Sequence, residues 1–306
     1  MLVSPICVKL LENNPAINNI HTLKKKHYFK LISDLKREKY DLSISPHSSF
    51  RSALTAFLAR IKHRIGFKRY LQQVFLTKCI KHRKGVHKIY KNLDLLKILP
   101  NNIEVENISI STNLYPTEKN YKKVDQLLRE LIKVEKSTTI ILAPGSVWYT
   151  KRWPLEYYLE LTNKLLEKNF YIILLGSPTE KSLCDYIILN TIRKEKIKNV
   201  SGEFDLLDAA ALVRKIDLVI CNDSGMLHIA NAMDTPVFAF FGPTTKNIGY
   251  YPFKENDFIF EINIPCRPCG SHGGDKCKKG HFNCMKLLNP DIVFQRIVNV
   301  YNANQI

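Results

Sequence analysis

Nothing in the 306-residue sequence approaches the roughly 18 to 20 consecutive apolar residues that a membrane-spanning helix needs. The longest apolar runs, Phe170 to Leu175 and Pro236 to Phe241, have the length of strands. Met1 to Leu11 carries Pro5 and Lys9 and has neither the apolar core nor the small-residue cleavage site of an export signal, so a cytoplasmic location is expected. No Gly-x-Gly-x-x-Gly fingerprint occurs, which argues against hydride transfer. The absence of a Gly-x-x-x-x-Gly-Lys-Ser/Thr loop likewise argues against a P-loop kinase or ATPase.

Acidic residues are also scarce: 28 Asp and Glu face 46 Lys and Arg, a formal charge of +18. The deficit lies in residues 1–135, where 26 basic side chains face 11 acidic ones, a net of +15. Such a field would steer a nucleic acid, an anionic membrane surface or an acidic acceptor alike, or it is simply a solvated lysine-rich face. The basic residues are not interleaved with aromatics in a stacking motif, which speaks against nucleic acid.

What is present is alternation. Asp41 to Ser45 and Arg64 to Phe67 read as short strands. The apolar spacing of Phe50, Ala53, Leu54, Phe57, Leu58 and Ile61 predicts a helix, and a further helix is expected over Val86 to Leu99, stopped by Pro100. A weak strand-like alternation surrounds Val105 to Ile110. From Thr138 onward the pattern is cleaner. Apolar strands at Thr138 to Ala143, Phe170 to Leu175, Leu218 to Cys221 and Val237 to Phe241 are separated by helical stripes, as in a parallel sheet covered on both faces. Asn289-Pro290 opens a last helix, too short to be a domain, that must pack on one already formed.

Three loops follow three of these strands. Asn222-Asp223-Ser224-Gly225 enters a helix, where Ser224 and the first free amides of Met226 and Leu227 can donate to phosphate oxygens and the helix dipole attracts an anion. Asp223 suits a cap or the orientation of a neighbouring hydroxyl or cation. His228 lies off the apolar stripe of that helix, which favours a site role over a core one. Pro144-Gly145-Ser146 leads to Lys151-Arg152-Trp153-Pro154, where Lys151 supplies a point charge suited to pyrophosphate and Trp153 a packing surface. Gly242-Pro243-Thr244-Thr245 adds two hydroxyls. Together they form a coherent anion site.

Cys266-x2-Cys269-x7-Cys277-x6-Cys284 could surround a structural zinc ion, with glycines giving the chain freedom to turn. Unmetallated thiols or a redox use remain open. The other four cysteines read as packing residues.

The blocks Pro144-Gly145-Ser146 through Lys151-Arg152-Trp153-Pro154, Asn222 through Ala230, and Phe241-Gly242-Pro243-Thr244 resemble the signatures of glycosyltransferase family 9. Within it they are most similar to the lipopolysaccharide heptosyltransferases, particularly those acting second. Looser similarity at Glu12 to Pro15, Arg64 to Phe67 and His87 extends it over nearly the whole chain. The resemblance implies an α/β protein of two Rossmann-like domains facing across a cleft, the GT-B type: residues 1–133 on the acceptor side, 134–290 for the donor with a cysteine-rich segment at 266–284, and a C-terminal helix at 291–306. It also implies inverting transfer of heptose from ADP-heptose to the anionic lipopolysaccharide inner core at the inner face of the cytoplasmic membrane, with no obligatory cofactor. The donor site would comprise Ser146, Lys151, Asp223, Ser224, Gly225, His228, Thr244 and Thr245. Family members place a strand and a Gly-Asp loop, bearing the aspartate regarded as the base, ahead of the segment resembling Met1 to Pro15. The expectation is therefore an N-terminal domain without that first strand and loop, through a start assigned too late, a truncation or a replacement of the base, which stays unassigned with His47 as one candidate substitute. The alternatives are an inactive relative that still binds the sugar nucleotide or acceptor, and a cysteine-knuckle nucleic-acid binder.

Overall fold

The computed structural model describes residues 1–99, 110–133 and 137–302. The chain divides into two compact units, Met1–Ile110 with Lys246–Tyr250, and Ser111–Thr245 with Tyr251–Ile306.

In the first unit, β1 (Leu2–Val3) pairs in parallel with β2 (His21–Thr22), and β3 (Leu42–Ser45), β4 (His63–Phe67) and β5 (Lys78–Ile80) form a second parallel sheet in that order. Among the described residues four α-helices accompany them: α1 (Val8–Leu11), α2 (Tyr28–Arg37), α3 (Phe50–Leu58) and α4 (Lys88–Leu93). Leu31 and Leu35 of α2 pack with Ala56, Ala59 and Ile61, so the apolar periodicity of both segments ends in one small core. The helix expected over Val86 to Leu99 is shorter. His87 caps α4 by accepting from the Ile89 amide, and the chain then tightens into a 3-10 helix over Asp94–Ile98. That change lets Leu95 reach Ile65 and Phe67 while the buried Asp94 carboxylate meets Arg83 at 2.6 Å. The alternation near Val105 lies almost wholly outside the described residues.

The second unit is built on six parallel strands: β6 (Thr139–Ala143), β7 (Tyr171–Leu174), β8 (Ile197–Asn199), β9 (Leu218–Asn222), β10 (Val237–Phe241) and β11 (Phe258–Glu261), arranged β11-β10-β9-β6-β7-β8. Its helices are α5 (Glu118–Leu131), α6 (Leu155–Glu167), α7 (Lys181–Asn190), α8 (Leu206–Arg214), α9 (Gly225–Ala232), α10 (Asn283–Lys286) and α11 (Pro290–Asn302). Alternate strand residues feed two cores. Ile141, Ile173, Val219 and Ala239 face α5, α8 and α9, whereas Ile140, Leu142, Ile172, Ile220 and Phe240 face α6, α7, α10 and α11. A sheet covered on both sides has no solvated face, which is why its strands read as unbroken apolar runs.

A boundary near residue 133 does not describe this packing. Val124, Leu127 and Leu131 of α5 are buried against α8, so residues 111–133 belong with the second unit, and the short return Lys246–Tyr250 belongs with the first. The last helix packs on α6.

Candidate diphosphate site

Counted from β6, the six strands run 3-2-1-4-5-6, the doubly wound order in which the chain reverses direction across the sheet between the first and fourth strands. Those neighbours are β6 and β9, paired from Ile140↔Leu218 to Ala143↔Cys221. The helix after β6 packs on one face and the helix after β9 on the other. Their loops therefore part at the strand ends and leave a crevice, the usual ligand position in such sheets.

Asn222, fully buried at the end of β9, ties the two loops together. Its amide donates to the Pro144 and Gly145 carbonyls at 2.9 and 3.1 Å, and its Oδ1 accepts from the Trp153 amide at 2.8 Å and from the Tyr158 hydroxyl at 3.3 Å. Burial holds the Tyr158 phenol far above its ordinary range, so it stays a donor. Trp153 is buried as well, stacked on Phe240 at 4.2 Å, with its Nε1 donating to the Leu288 carbonyl. The tie made by Asn222 is not legible in the sequence, where the residue looks like one more polar member of its loop.

Around that tie the expected donor residues gather. Lys151 Nζ lies 2.6 Å from Asp223 Oδ2, with side chains only 14% and 10% exposed. The Thr244 hydroxyl, also buried, donates to the same oxygen at 2.6 Å. Asp223 thus orients one cation and one hydroxyl and draws together all three loops, after β6, β9 and β10. The Ser146 carbonyl accepts from Arg152 Nε at 2.8 Å. Ser224 precedes α9 with an extended backbone and makes no side-chain cap, so its hydroxyl is not consumed by the helix amides. A side chain added at Gly225 would meet nothing within 4 Å, so the backbone at the helix entrance borders open space. His228 is exposed one turn further on. Thr245 Oγ1 is buried and has no hydrogen-bond partner among the described residues. A Cβ at Gly145 would lie 2.0 Å from Glu180 Oε1, so the Glu180 side chain would have to move to admit one.

His47, the candidate base, is exposed just beyond β3. It lines a pocket of about 370 Å³ within the first unit, together with Tyr40, Ser43, Ser45 and Thr55.

The cysteine segment adjoins the site loops. A cavity of about 160 Å³ is lined by Cys269, Cys277 and Cys284 on one side and by Thr150 and Pro243 of the site loops on the other. All four cysteines are free thiols, and among the described residues no three His, Cys, Asp or Glu side chains stand close enough to hold a metal ion. Three of them, Cys269, Cys277 and Cys284, line the same cavity. Their environments differ. Burial pushes the Cys284 thiol up to about 11. At Cys277 burial acts in the same sense, but the backbone N–H groups of Phe282, Lys279 and Gly280 outweigh it and hold that thiol below its ordinary range.

The profile of glycosyltransferase family 9 (heptosyltransferase) matches residues 28–279. The chain is 27% identical over 305 residues to lipooligosaccharide heptosyltransferase 2 of Haemophilus ducreyi, an alignment covering 95% of this chain and 87% of that protein. It is 25% identical over 268 residues to lipopolysaccharide heptosyltransferase 2 of Escherichia coli K12, covering 79% and 73%. Among solved structures, E. coli ADP-heptose LPS heptosyltransferase II superposes with a TM-score of 0.78 over 100% of this chain and 89% of its own, at 19% identity. A glycosyl transferase family 9 protein from Veillonella parvula gives 0.80 over 96% and 85%, at 20% identity. These superpositions show a shared fold.

Proposed function

Since the chain belongs to glycosyltransferase family 9, we propose that it binds ADP-heptose through the site at β6, β9 and β10 and transfers the heptose, with inversion, to the inner core of lipopolysaccharide. The convergence of Lys151 and Thr244 on Asp223, beside the N-terminus of α9, is the observation that supports this reading most directly. In the proposed reaction an acceptor hydroxyl oxygen attacks the anomeric carbon, the bond from that carbon to the diphosphate oxygen breaks, and ADP departs. Negative charge grows on the leaving diphosphate. In this reading Lys151, the amides opening α9 and the Ser224 hydroxyl stabilise it, which is where such a site gains rate. The proton of the attacking hydroxyl needs a general base, and His47 is the candidate. No metal enters this scheme.

Incubation with ADP-heptose and a heptose-deficient lipopolysaccharide core, followed by mass spectrometry, should show the acceptor gain one heptose. ADP binding without transfer would leave a sugar-nucleotide-binding protein and refute the enzymatic reading. Loss of turnover in His47→Ala with ADP affinity unchanged is the expected signature of the base.

The acceptor's lipid anchor suggests that the first unit works at an anionic bilayer from the cytoplasmic side. Tyr70, Leu71 and Val74 are 89%, 71% and 68% exposed on one 3-10 helix, Phe29 is 85% exposed, and between Leu42 and Leu93 the sequence has twelve Lys and Arg and no Asp or Glu. Apolar side chains amid uncompensated positive charge suit an anionic lipid surface. Among the described residues no helix is long and apolar enough to cross a membrane. Co-flotation with vesicles containing anionic lipid, weakened in Leu71→Asp and absent with neutral vesicles, is expected; equal recovery with both vesicle types would refute it.

A further inference from the structure

The loops of the diphosphate site leave the sheet at its polar edge, where strand-end carbonyls lack ladder partners. At β10 they are taken up by one side chain. Arg267, between two of the cysteines, is 5% exposed at its side chain. Its Nε donates to the Gly242 carbonyl, its Nη1 to the Ile262 carbonyl, and its Nη2 to the Phe241 and Thr244 carbonyls at 3.0 and 2.9 Å. Glu261 Oε2 accepts from the same Nη2 at 2.9 Å and completes an ion pair. Three of these carbonyls belong to Phe241–Thr244, the turn that presents the Thr244 hydroxyl to Asp223. Cys269 adds a fourth tie, its amide donating to the Pro243 carbonyl at 2.9 Å.

Seven residues beyond Arg267 the same segment grips the other arm. The Thr150 amide donates to the Gly274 carbonyl at 3.0 Å, and the Gly274 amide donates to the Thr150 hydroxyl at 2.8 Å. A Cβ at Gly273 would come within 2.5 Å of Trp148 Cβ and 3.0 Å of Lys151 Cγ, so backbone presses directly on the turn that carries the lysine. Eight residues, Arg267 to Gly274, therefore span both loops whose side chains meet on Asp223.

We infer that Arg267 is a positioning residue of the diphosphate site. Bonded to four carbonyls and a carboxylate, with its side chain only 5% exposed, it is engaged by the protein rather than presented to a ligand. It acts by fixing the Phe241–Thr244 turn, so that Thr244 holds Asp223 and Asp223 holds Lys151 where the diphosphate is bound. Only a guanidinium offers five donors in a plane wide enough for this; an ammonium has three, clustered at one point. The inference rests on the donor-site reading above.

Isothermal titration of ADP into wild type, Lys151→Ala, Thr244→Val, Arg267→Lys and the Arg267→Lys/Thr244→Val double variant separates the possibilities. Arg267→Lys should weaken ADP binding roughly 10- to 100-fold, by analogy with the loss of side chains that orient metal ligands. The double variant should be little worse than Arg267→Lys alone, because both changes break one path. A purely structural role would lower the melting temperature while leaving ADP affinity unchanged, or would give independent, multiplying losses, and either result overturns the inference. If Arg267→Lys does not fold, Glu261→Gln, which removes only the partner carboxylate, decides: a 3- to 10-fold weaker affinity supports the positioning role and an unchanged one overturns it. Unchanged affinity in Lys151→Ala would instead refute the donor-site reading itself.

Discussion

Replacing Lys151 and Asp223, singly and together, probes the centre of the proposed site. Two unit charges 2.6 Å apart attract by about 6 kcal/mol at an effective dielectric constant of about 20. Desolvation of two side chains this little exposed removes much of that, leaving a net coupling of about 2–3 kcal/mol. Lys151→Ala strands the carboxylate with only the Thr244 hydroxyl for support and should lower unfolding free energy by about 2–4 kcal/mol. Asp223→Asn keeps the shape and loses the charge; with the lysine left unpaired it should cost about 1–3 kcal/mol. The double variant should be less destabilised than the two losses added, by the coupling. ADP binding should respond differently. Lys151→Ala loses a charge-assisted bond worth about 1.5–3 kcal/mol and should weaken ADP by roughly 10- to 100-fold. Asp223→Asn removes the carboxylate that holds Lys151 in place and should also weaken ADP binding, though less than Lys151→Ala does, because the cation itself remains. Denaturant unfolding and titration calorimetry on the four proteins measure both quantities. Single-variant stabilities that add to within about 0.5 kcal/mol would show that the pair is not coupled, and ADP affinity indifferent to Lys151→Ala would remove the lysine from the site.

Gly145→Ala should destabilise by about 1–2 kcal/mol, since Glu180 must leave its cap on Ser177 to admit the methyl group; the loss should largely vanish in a Glu180→Ala background, as thermal melts would report. Burial, then Lys88, Lys91 and Arg69, hold His82 below its ordinary 6.5. The fold therefore favours neutral His82, a contribution fully present above pH 6.5 and lost as pH falls through the lowered value. Melting temperature should drop less between pH 7.5 and 5 in His82→Gln than in wild type, and parallel curves would contradict this. Of the thiols in the cysteine segment, Cys277 should alkylate before Cys284 at neutral pH, because one is held below and the other well above the ordinary range; peptide mapping after a short iodoacetamide pulse reads the order.

Local chemistry was well expressed along the chain. The apolar runs that became β6, β7, β9 and β10 had no alternative but burial on both faces, and the polar turns after β6, β9 and β10 followed from where those runs stopped. Lys151, Asp223 and Thr244 could be named because their loops carry family blocks and because a lysine, a helix entrance and hydroxyls are what a diphosphate requires. The α4 region was less legible, since the choice between α and 3-10 turns depended on Leu95 finding Ile65 and Phe67, partners some 30 residues distant. Helix α5 was invisible as a member of the second unit for a similar reason: its stripe of Val124, Leu127 and Leu131 states that it packs, not on what.

The sequence by itself determined that a parallel α/β unit exists and which residue types meet an anion. Periodicity and turn chemistry are properties of a few consecutive residues and act before any long-range contact forms. Only tertiary structure decided that β6 lies beside β9, that one Asp223 oxygen receives both Lys151 and Thr244, and that Cys269, Cys277 and Cys284 line one cavity. It also decided that Arg267, hidden in sequence between two of them, holds the turn that bears Thr244. These outcomes depend on distances between segments far apart in the chain, set by the packing of two cores on one sheet, and spacing along a sequence does not encode them.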